Sequence, residues 1–520
     1  MVNKRTALPF SCLVLLALCV GQAFAADDLA SKIEMVLNGP EYKQAHWGLL
    51  VVDAQTGETI YAHNPDHLFF PASTTKLYSC STALATLGPD YRFETSVYRR
   101  GKLKDGRLDG DLILVASGDL TMGGRTLPDG TMAFKDNDHT YANGNEKAQL
   151  TETDPLAGLK SLAKQIAAAG IQHINGDILI DDRLFAHARG SGSGPDMLSP
   201  IIINDNVVDV IITPAAEAGK AATIHMRPET AFVQMDALVD TVSADKKAHI
   251  EIRQAAPRSC VVRGRIPVKA RPLVRIYAVE NPADFARALF IETLRREGVS
   301  LSASPFQAPT AELPEKGSYS KADQVASFSS PPFSQAVKVT LKVSHNLYAS
   351  TLPLLVAARN GKRTLADGLH LQRKQLQEFG VDVATISFGG GAGGANADAV
   401  TPRASVQLLR ALARRPDYKA LEAGLPILGV DGTLAEAVPP DSPAKGKVRA
   451  KTGTLYWHDV MNERALLTSK ALAGVMTTAK GRSLTLAIYV NGVPLPKNVT
   501  PTREGKAIGK LCEIIYLNAP

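Results

Sequence analysis

Two segments with mixed helix and strand patterns, residues 26–92 and 333–520, bracket a stretch, 93–332, that is dominated by strands. That order asks the chain to leave one domain, build something else and return. Trp47-Gly48-Leu49-Leu50-Val51-Val52-Asp53 and Thr59-Ile60-Tyr61-Ala62 flank Gln55-Thr56-Gly57-Glu58, a turn between two β-prone runs. If the outer segments form one domain, the hairpin at 47–63 pairs with late strands near 446–454, 471–478 and 483–491. The chain is then a mixed α/β (α+β) protein, and 520 residues suffice for two or three domains with cores of their own.

Pro71 opens a helical run from Ser73 to Leu87 that stops at Gly88-Pro89. Helical periodicity returns at 156–169, 282–297, 346–378, 402–414 and 501–516. The polar stretch 135–149 reads as loop, the Gly/Ser-rich 188–196 as a flexible loop, and the Pro/Ser/Lys-rich 313–333 as a linker.

The first 25 residues have the form of a cleaved export signal. Lys4 and Arg5 precede an apolar run from Phe10 to Val20, and Ala23-Phe24-Ala25 is a small-x-small cleavage site. Cys19 follows Leu18, where lipid attachment would want a small residue. The expected location is periplasmic or secreted, with no transmembrane anchor and at most a peripheral association with the envelope. Removing Lys4 and Arg5, the only charged residues of that segment, brings the formal charge from +7 to +5. This mild excess, without a basic stripe of interleaved aromatics, points away from nucleic acid. Cys80, Cys260 and Cys512 remain of the five cysteines; none are closely spaced, and buried thiols are the expectation. The eleven histidines form no metal-binding spacing, so neither metal nor cofactor is expected.

Three short motifs carry the candidate chemistry. In Ser73-Thr74-Thr75-Lys76 the i, i+3 spacing on a helix lets the Lys76 amine reach the Ser73 hydroxyl. A serine needs a base to become a nucleophile, and a lysine can be that base once desolvation and a nearby cation lower its pKa. The spacing is cheap: Ser161/Lys164, Ser243/Lys246, Ser318/Lys321 and Ser442/Lys445 repeat it. Only Ser73 follows a hairpin and a proline and opens a long helix. In Ser344-His345-Asn346, Ser344 can pass a proton and Asn346 can hold a substrate amide and a lysine, although Ser344 would also make an ordinary N-cap. In Lys451-Thr452-Gly453-Thr454, on a β-prone stretch, Lys451 and Thr452 suit a carboxylate and Gly453 admits a substrate strand. The order SxxK, SxN, KTG is the signature of acyl-serine penicillin-interactive enzymes.

With these motifs in place, and with Gly110-Asp111-Leu112-Ile113-Leu114, Ser117-Gly118-Asp119, Gly176-Asp177-Ile178, Asn204-Asp205-Asn206 and Asp431-Gly432-Thr433, the chain resembles the class C low-molecular-mass penicillin-binding proteins, D-alanyl-D-alanine carboxypeptidases and endopeptidases. The resemblance implies a penicillin-binding/β-lactamase-like transpeptidase domain, an antiparallel sheet flanked by helices, from 26–92 and 333–520. It also implies a β-rich inserted domain from 93–118 and 198–332, with a further domain nested at 119–197. Ser73 is then acylated with Lys76 as base, Ser344 and Asn346 relay protons and hold substrate, and Lys451 and Thr452 bind the terminal carboxylate. The backbone N–H groups of Ser73 and Thr454 form the oxyanion hole. Peptidoglycan stem peptides are the implied substrates and β-lactam antibiotics the implied covalent inhibitors. Asp181 and Phe185 are placed by the same resemblance near the cleft, recognising a diaminopimelate side chain.

The chain departs from that family where an Asp-Gly-Ser-Gly-Leu-Ser-Arg stretch is usual. Here Gly390, Ala392, Ala395 and Asn396 take the Asp, Ser, Ser and Arg positions before Val400-Thr401-Pro402. The segment Tyr456 to Leu472 is also longer than usual, which would reshape the rim of the cleft. Two other readings keep the motifs: a β-lactamase or esterase on the same fold, and a peptidoglycan-binding protein with a vestigial cleft.

Overall fold

The computed structural model describes residues 28–520, so the signal-peptide reading of residues 1–25, Cys19 included, lies outside the described residues. The early hairpin does pair with the late strands. Strands β1 (His46–Asp53) and β2 (Thr59–His63) join β3 (Val448–Asp459), β4 (Arg464–Thr477) and β5 (Ser483–Pro494) in one antiparallel sheet of order β3-β4-β5-β1-β2. Leu49 faces Ile488 across the ladder and Val51 faces Leu486.

β1 is an unbroken apolar run because both faces of the sheet are covered, and successive side chains alternate between them. On one side Leu49 and Val51 meet Leu29 and Ile33 of helix α1 (28–37) and Leu511 and Ile515 of the C-terminal helix Thr502–Asn518. On the other, Leu50 and Val52 meet Leu77 and Tyr78 of α2 (Thr75–Leu87) and Leu347 and Leu352 of α3 (Asn346–Arg359). The three layers place the start of α2, the start of α3 and the outer edge of β3 around one cleft.

The inserted chain builds separate sheets. A six-stranded sheet includes Glu94–Lys104 and Arg107–Val115 and is covered by helices Ala157–Ala168 and Pro282–Arg296 through Leu159, Leu162, Phe285 and Leu289. The expected boundary between 93–118 and 119–197 runs through this single core, because Ile178–Asp181 pairs in parallel with Arg107–Val115. Two three-stranded sheets from residues 207–278 share a smaller core of Val210, Ile212, Val239, Val262 and Ile266.

Three local expectations change. The expected linker 313–333 contains a strand, Gln324–Ser329, that closes the edge of the six-stranded sheet with Ala326 opposite Val97. The expected helix 346–378 is two, Asn346–Arg359 and Leu365–Glu378, parted at Asn360-Gly361, where Gly361 has φ +69°. The expected loop 135–149 holds a short helical turn, His139–Tyr141, that bears on the site. Cys80, Cys260 and Cys512 are buried and unpaired. Among the described residues no helix is long and apolar enough to cross a membrane.

Candidate active site

Ser73 sits in a 3-10 turn, Ala72–Thr74, that leads directly into α2. Ala72 is held at φ +44°, a conformation a non-glycine residue adopts only when its surroundings enforce it. Lys76 follows one turn later and is fully buried. The other four SxxK pairs end in exposed lysines. Burial therefore distinguishes the one pair whose lysine can lose its proton near neutrality.

The Lys76 amine lies 2.8 Å from Ser73 Oγ, 2.8 Å from Asn346 Oδ1 and 2.9 Å from the Ala392 carbonyl. The Asn346 amide is oriented by its other end, since Nδ2 donates to the Ser193 carbonyl at 2.9 Å. Two of the three neighbours of Lys76 can therefore only accept. A neutral amine has two N–H donors and one lone pair, which leaves the lone pair for the Ser73 hydroxyl. Burial drives the Lys76 pKa down to about 7, with Cys80 and Asp398 pulling weakly the other way. Burial also pushes the Cys80 thiol up to about 12, so it stays neutral beneath the site.

Ser344 and Asn346 stand on either side of the N-cap of α3. His345 between them is fully buried and takes the cap position, its Nδ1 accepting from the Tyr348 N–H. Ser344 is held at φ +63°. Its hydroxyl accepts from Lys451 Nζ at 3.0 Å, and Lys451 also donates to the Thr452 carbonyl at 2.7 Å. Lys451 is buried too, and desolvation together with the Lys76 charge holds its pKa well below the usual lysine range. Burial thus lowers both amines, and the Lys76 charge further disfavours a charged Lys451.

β3 is an edge strand, and past the Ile427–Arg449 bridge its outer side offers backbone groups to an extended peptide. Gly453 brings that edge against the serine turn: a Cβ there would lie 2.5 Å from the Pro71 carbonyl oxygen and 3.0 Å from Ser73 N. The Thr452 hydroxyl donates to Thr433 Oγ1, and Thr454 Oγ1 accepts from Lys470 Nζ at 2.9 Å. The glycine-rich segment packs in the same way. A Cβ at Gly393, which has φ +90°, would lie 1.8 Å from the Ala72 carbonyl oxygen. This contact presents the neighbouring Ala392 carbonyl to Lys76.

These groups open on a cleft of about 810 Å³ lined by Ser73, Ser344, Asn346, Thr452, Thr454 and, at the rim of the long β3–β4 hairpin, Tyr456 and Trp457. The structure brings Ser73, Lys76, Ser344, Asn346, Lys451, Thr452, Gly453 and Thr454 together. It does not bring Asp181 or Phe185 to the cleft. Asp181 is buried and bound by Arg183 Nε and Nη2, each at 2.8 Å, and by the Tyr319 hydroxyl. Burial would raise its pKa, but these hydrogen bonds outweigh it and hold the carboxyl below the usual range. Phe185 is a core side chain, 1 % exposed. Three contributors had no sequence signal. The Ala392 carbonyl and the Ser193 carbonyl act through backbone, and Tyr141 donates to the Ser344 carbonyl from a segment that reads only as polar loop.

Asp138, His139 and Asp205 offer ligand atoms within 4.8 Å of one another. The Arg125 guanidinium already lies between the carboxylates, Nη2 being 2.8 Å from Asp138 Oδ2 and 2.6 Å from Asp205 Oδ2. Both His139 ring nitrogens face carboxylate oxygens, Asp209 Oδ1 at 2.6 Å and Asp205 Oδ2 at 2.7 Å. Burial opposes its charge, yet Asp209 and Asp138 raise its pKa to about 10. A histidine protonated at both nitrogens has no lone pair for a metal, so the cluster fits an ion-pair network better.

A sequence model of the D-Ala-D-Ala carboxypeptidase 3 (S13) family matches residues 29–510. A D-alanyl-D-alanine carboxypeptidase of Actinomadura sp. (strain R39) is 27 % identical over 456 residues, 82 % of this chain and 76 % of that protein. D-alanyl-D-alanine carboxypeptidase DacB of Haemophilus influenzae is 25 % identical over 461 residues, 86 % of this chain and 85 % of its own. The crystal structure of penicillin binding protein 4 from H. influenzae superposes with a TM-score of 0.69 at 23 % identity, covering 95 % of this chain and 99 % of that one.

Proposed function

This chain belongs to the D-Ala-D-Ala carboxypeptidase 3 (S13) family, and we propose that it is an exported serine peptidase that cleaves D-Ala-D-Ala and related cross-link bonds of peptidoglycan stem peptides through an acyl-enzyme on Ser73. Catalysis belongs to the domain made by 26–92 and 333–520. The observation that carries the reading is the Lys76 amine, buried, with a pKa of about 7 and two obligate acceptors that leave its lone pair on Ser73 Oγ.

In the forward step Lys76 takes the Ser73 proton while Oγ bonds to the penultimate D-alanine carbonyl carbon. The backbone N–H groups of Ser73 and Thr454 hold the oxyanion. Ser344, bridged to Lys451, passes a proton to the leaving amine as the C–N bond breaks and is replenished by the proton that Lys76 took, which leaves Lys76 neutral. Lys451 and Thr452 hold the terminal carboxylate, and Asn346 holds the stem amide. Water then attacks the ester as neutral Lys76 takes its proton, and Lys76 returns that proton to Ser73 Oγ as the acyl C–O bond breaks, releasing the shortened peptide. A β-lactam follows the first step and stalls at the second, which makes it an inhibitor. Diaminopimelate recognition through Asp181 and Phe185 is not part of this reading, because neither lines the cleft. The signal-like pattern of residues 1–25 supports work in the periplasm or outside the cell.

Mass spectrometry of muropeptides after incubation with the purified protein tests the reading. Loss of one alanine marks carboxypeptidase action and loss of cross-links marks endopeptidase action; both should disappear in Ser73→Ala. Rapid nitrocefin turnover without alanine release would point to a β-lactamase instead. Sacculus binding with no product, unaffected by Ser73→Ala, would point to a non-catalytic role.

A further inference from the structure

A substrate that ends in a carboxylate is held best by a cation at the surface of the cleft. Lys451 is enclosed: it is 0 % exposed, and its amine donates to Ser344 Oγ and the Thr452 carbonyl. Burial and the Lys76 charge also favour its neutral form. Lys76 is enclosed and occupied in the same way. Among the described residues that line the cleft, Lys470 is the only lysine or arginine, whereas three carboxylates line it, those of Asp136, Asp138 and Glu436.

Lys470 lies on β4 directly opposite Thr454 of β3. Side chains alternate along a strand and directly opposed residues share a face. Thr452, Thr454 and Lys470 therefore point to one side of the sheet, while Lys451 and Gly453 turn to the other, towards Ser344 and the serine turn. The helix Thr502–Asn518 crosses the first side, and a Cβ at Gly505 would stand 3.3 Å from both Cε and Nζ of Lys470, so a larger residue there would crowd the amine. The Lys470 amine donates to Thr454 Oγ1 at 2.9 Å, its only hydrogen bond among the described residues. Burial lowers its pKa to about 8, with Glu504 pulling the other way, so the amine is mainly charged at pH 7. Glu504 is itself bound by Arg503 at 2.6 Å. An ammonium has three N–H donors, and two of them remain. The Thr454 hydroxyl, which accepts from Lys470, keeps its own hydrogen to donate.

We propose that Lys470 is the cation of the carboxylate subsite: together with the Thr454 hydroxyl it receives the terminal carboxylate of the leaving D-amino acid. This rests on the Ser73 acyl-enzyme reading above and refines its carboxylate contact. Lys451 holds Ser344 and the Thr452 backbone from beneath, and Lys470 meets the charge.

The test compares a peptide ending in D-Ala-D-Ala as the free acid with the same peptide as its C-terminal carboxamide, each cleaved by the full chain. In Lys470→Met, kcat/KM for the acid should fall by about tenfold, mainly through KM, with the carboxamide unchanged, because one charge-assisted contact is lost. Lys470→Gln, which can still donate to Thr454, should behave like Lys470→Met, and Lys470→Arg should keep the preference for the acid. Equal falls for both peptides would mark a merely structural role and overturn the proposal, as would an unaltered acid preference in Lys470→Met. Calorimetric titration of Ser73→Ala with the two peptides separates this proposal from the reading it rests on. If the unmodified protein cleaves neither peptide and takes no penicillin label, the Ser73 reading fails. The subsite is then still decided by binding: Ser73→Ala should bind the acid more tightly than the carboxamide and lose that preference when Lys470→Met is added. No preference in Ser73→Ala, or one that survives Lys470→Met, would overturn the proposal.

Discussion

Two buried polar clusters meet at the start of α3, and they treat charge in opposite ways. Around Asp205, charges are matched: Arg125 and His139 face Asp138, Asp205 and Asp209, and Arg227 adds a further cation beside Asp209 at 3.4 Å. Opposite charges this close keep one another ionised, and the His139 pKa rises to about 10. Around Ser73 two lysines are buried with hydroxyls and carbonyls but no carboxylate in contact, and both pKa values fall. Burial alone does not make a side chain reactive. A buried amine becomes a base because its counter-charge is withheld, whereas the same burial with counter-charges present makes a fixed anchor.

The comparison can be broken most directly at the nucleophile. Ser73→Ala should abolish covalent penicillin labelling and reduce peptide cleavage by more than about 1,000-fold, measured by gel fluorescence and alanine release, while the Asp205 cluster and the thermal midpoint stay unchanged. Lys76→Arg tests the withheld counter-charge. A guanidinium does not lose its proton near neutrality, so acylation should fall by about 1,000-fold with the cation still in place. Acylation near the unmodified rate would show that a neutral base is not needed.

The matched cluster should fail differently. Asp205→Asn leaves Arg125 and His139 under-compensated, and a loss of about 3 kcal/mol is expected in urea unfolding. Next in size is the pH profile of acylation. Lys76 must be neutral to act, so the rate should climb about tenfold per pH unit up to about 7 and level off above it. A flat profile between pH 5 and 7 would sink the assignment of Lys76 as base. The smallest effect belongs to the rim, where Trp457 is 56 % exposed yet lines the cleft. Trp457→Ala should raise KM for a cross-linked muropeptide by about threefold and leave kcat alone.

The sequence alone determined the order of the three motifs and the hairpin that had to find the late strands, and it singled out Ser73, Lys76, Ser344, Asn346 and Lys451 as candidates. These are local statements: side chains with recognisable chemistry on elements with recognisable periodicity. Which of five SxxK pairs has a buried lysine was decided by tertiary packing, because burial is a property of the layers above and below α2. The expectation for Asp181 and Phe185 came from the family resemblance; in the structure neither lines the cleft, because Arg183 and Tyr319 engage the carboxylate while the aromatic ring packs into the core. The backbone of Ala392 and the Tyr141 hydroxyl were invisible for a related reason. A carbonyl carries no residue-type signal, and a tyrosine in a polar loop acquires a role only when the fold brings it within hydrogen-bonding distance of residue 344.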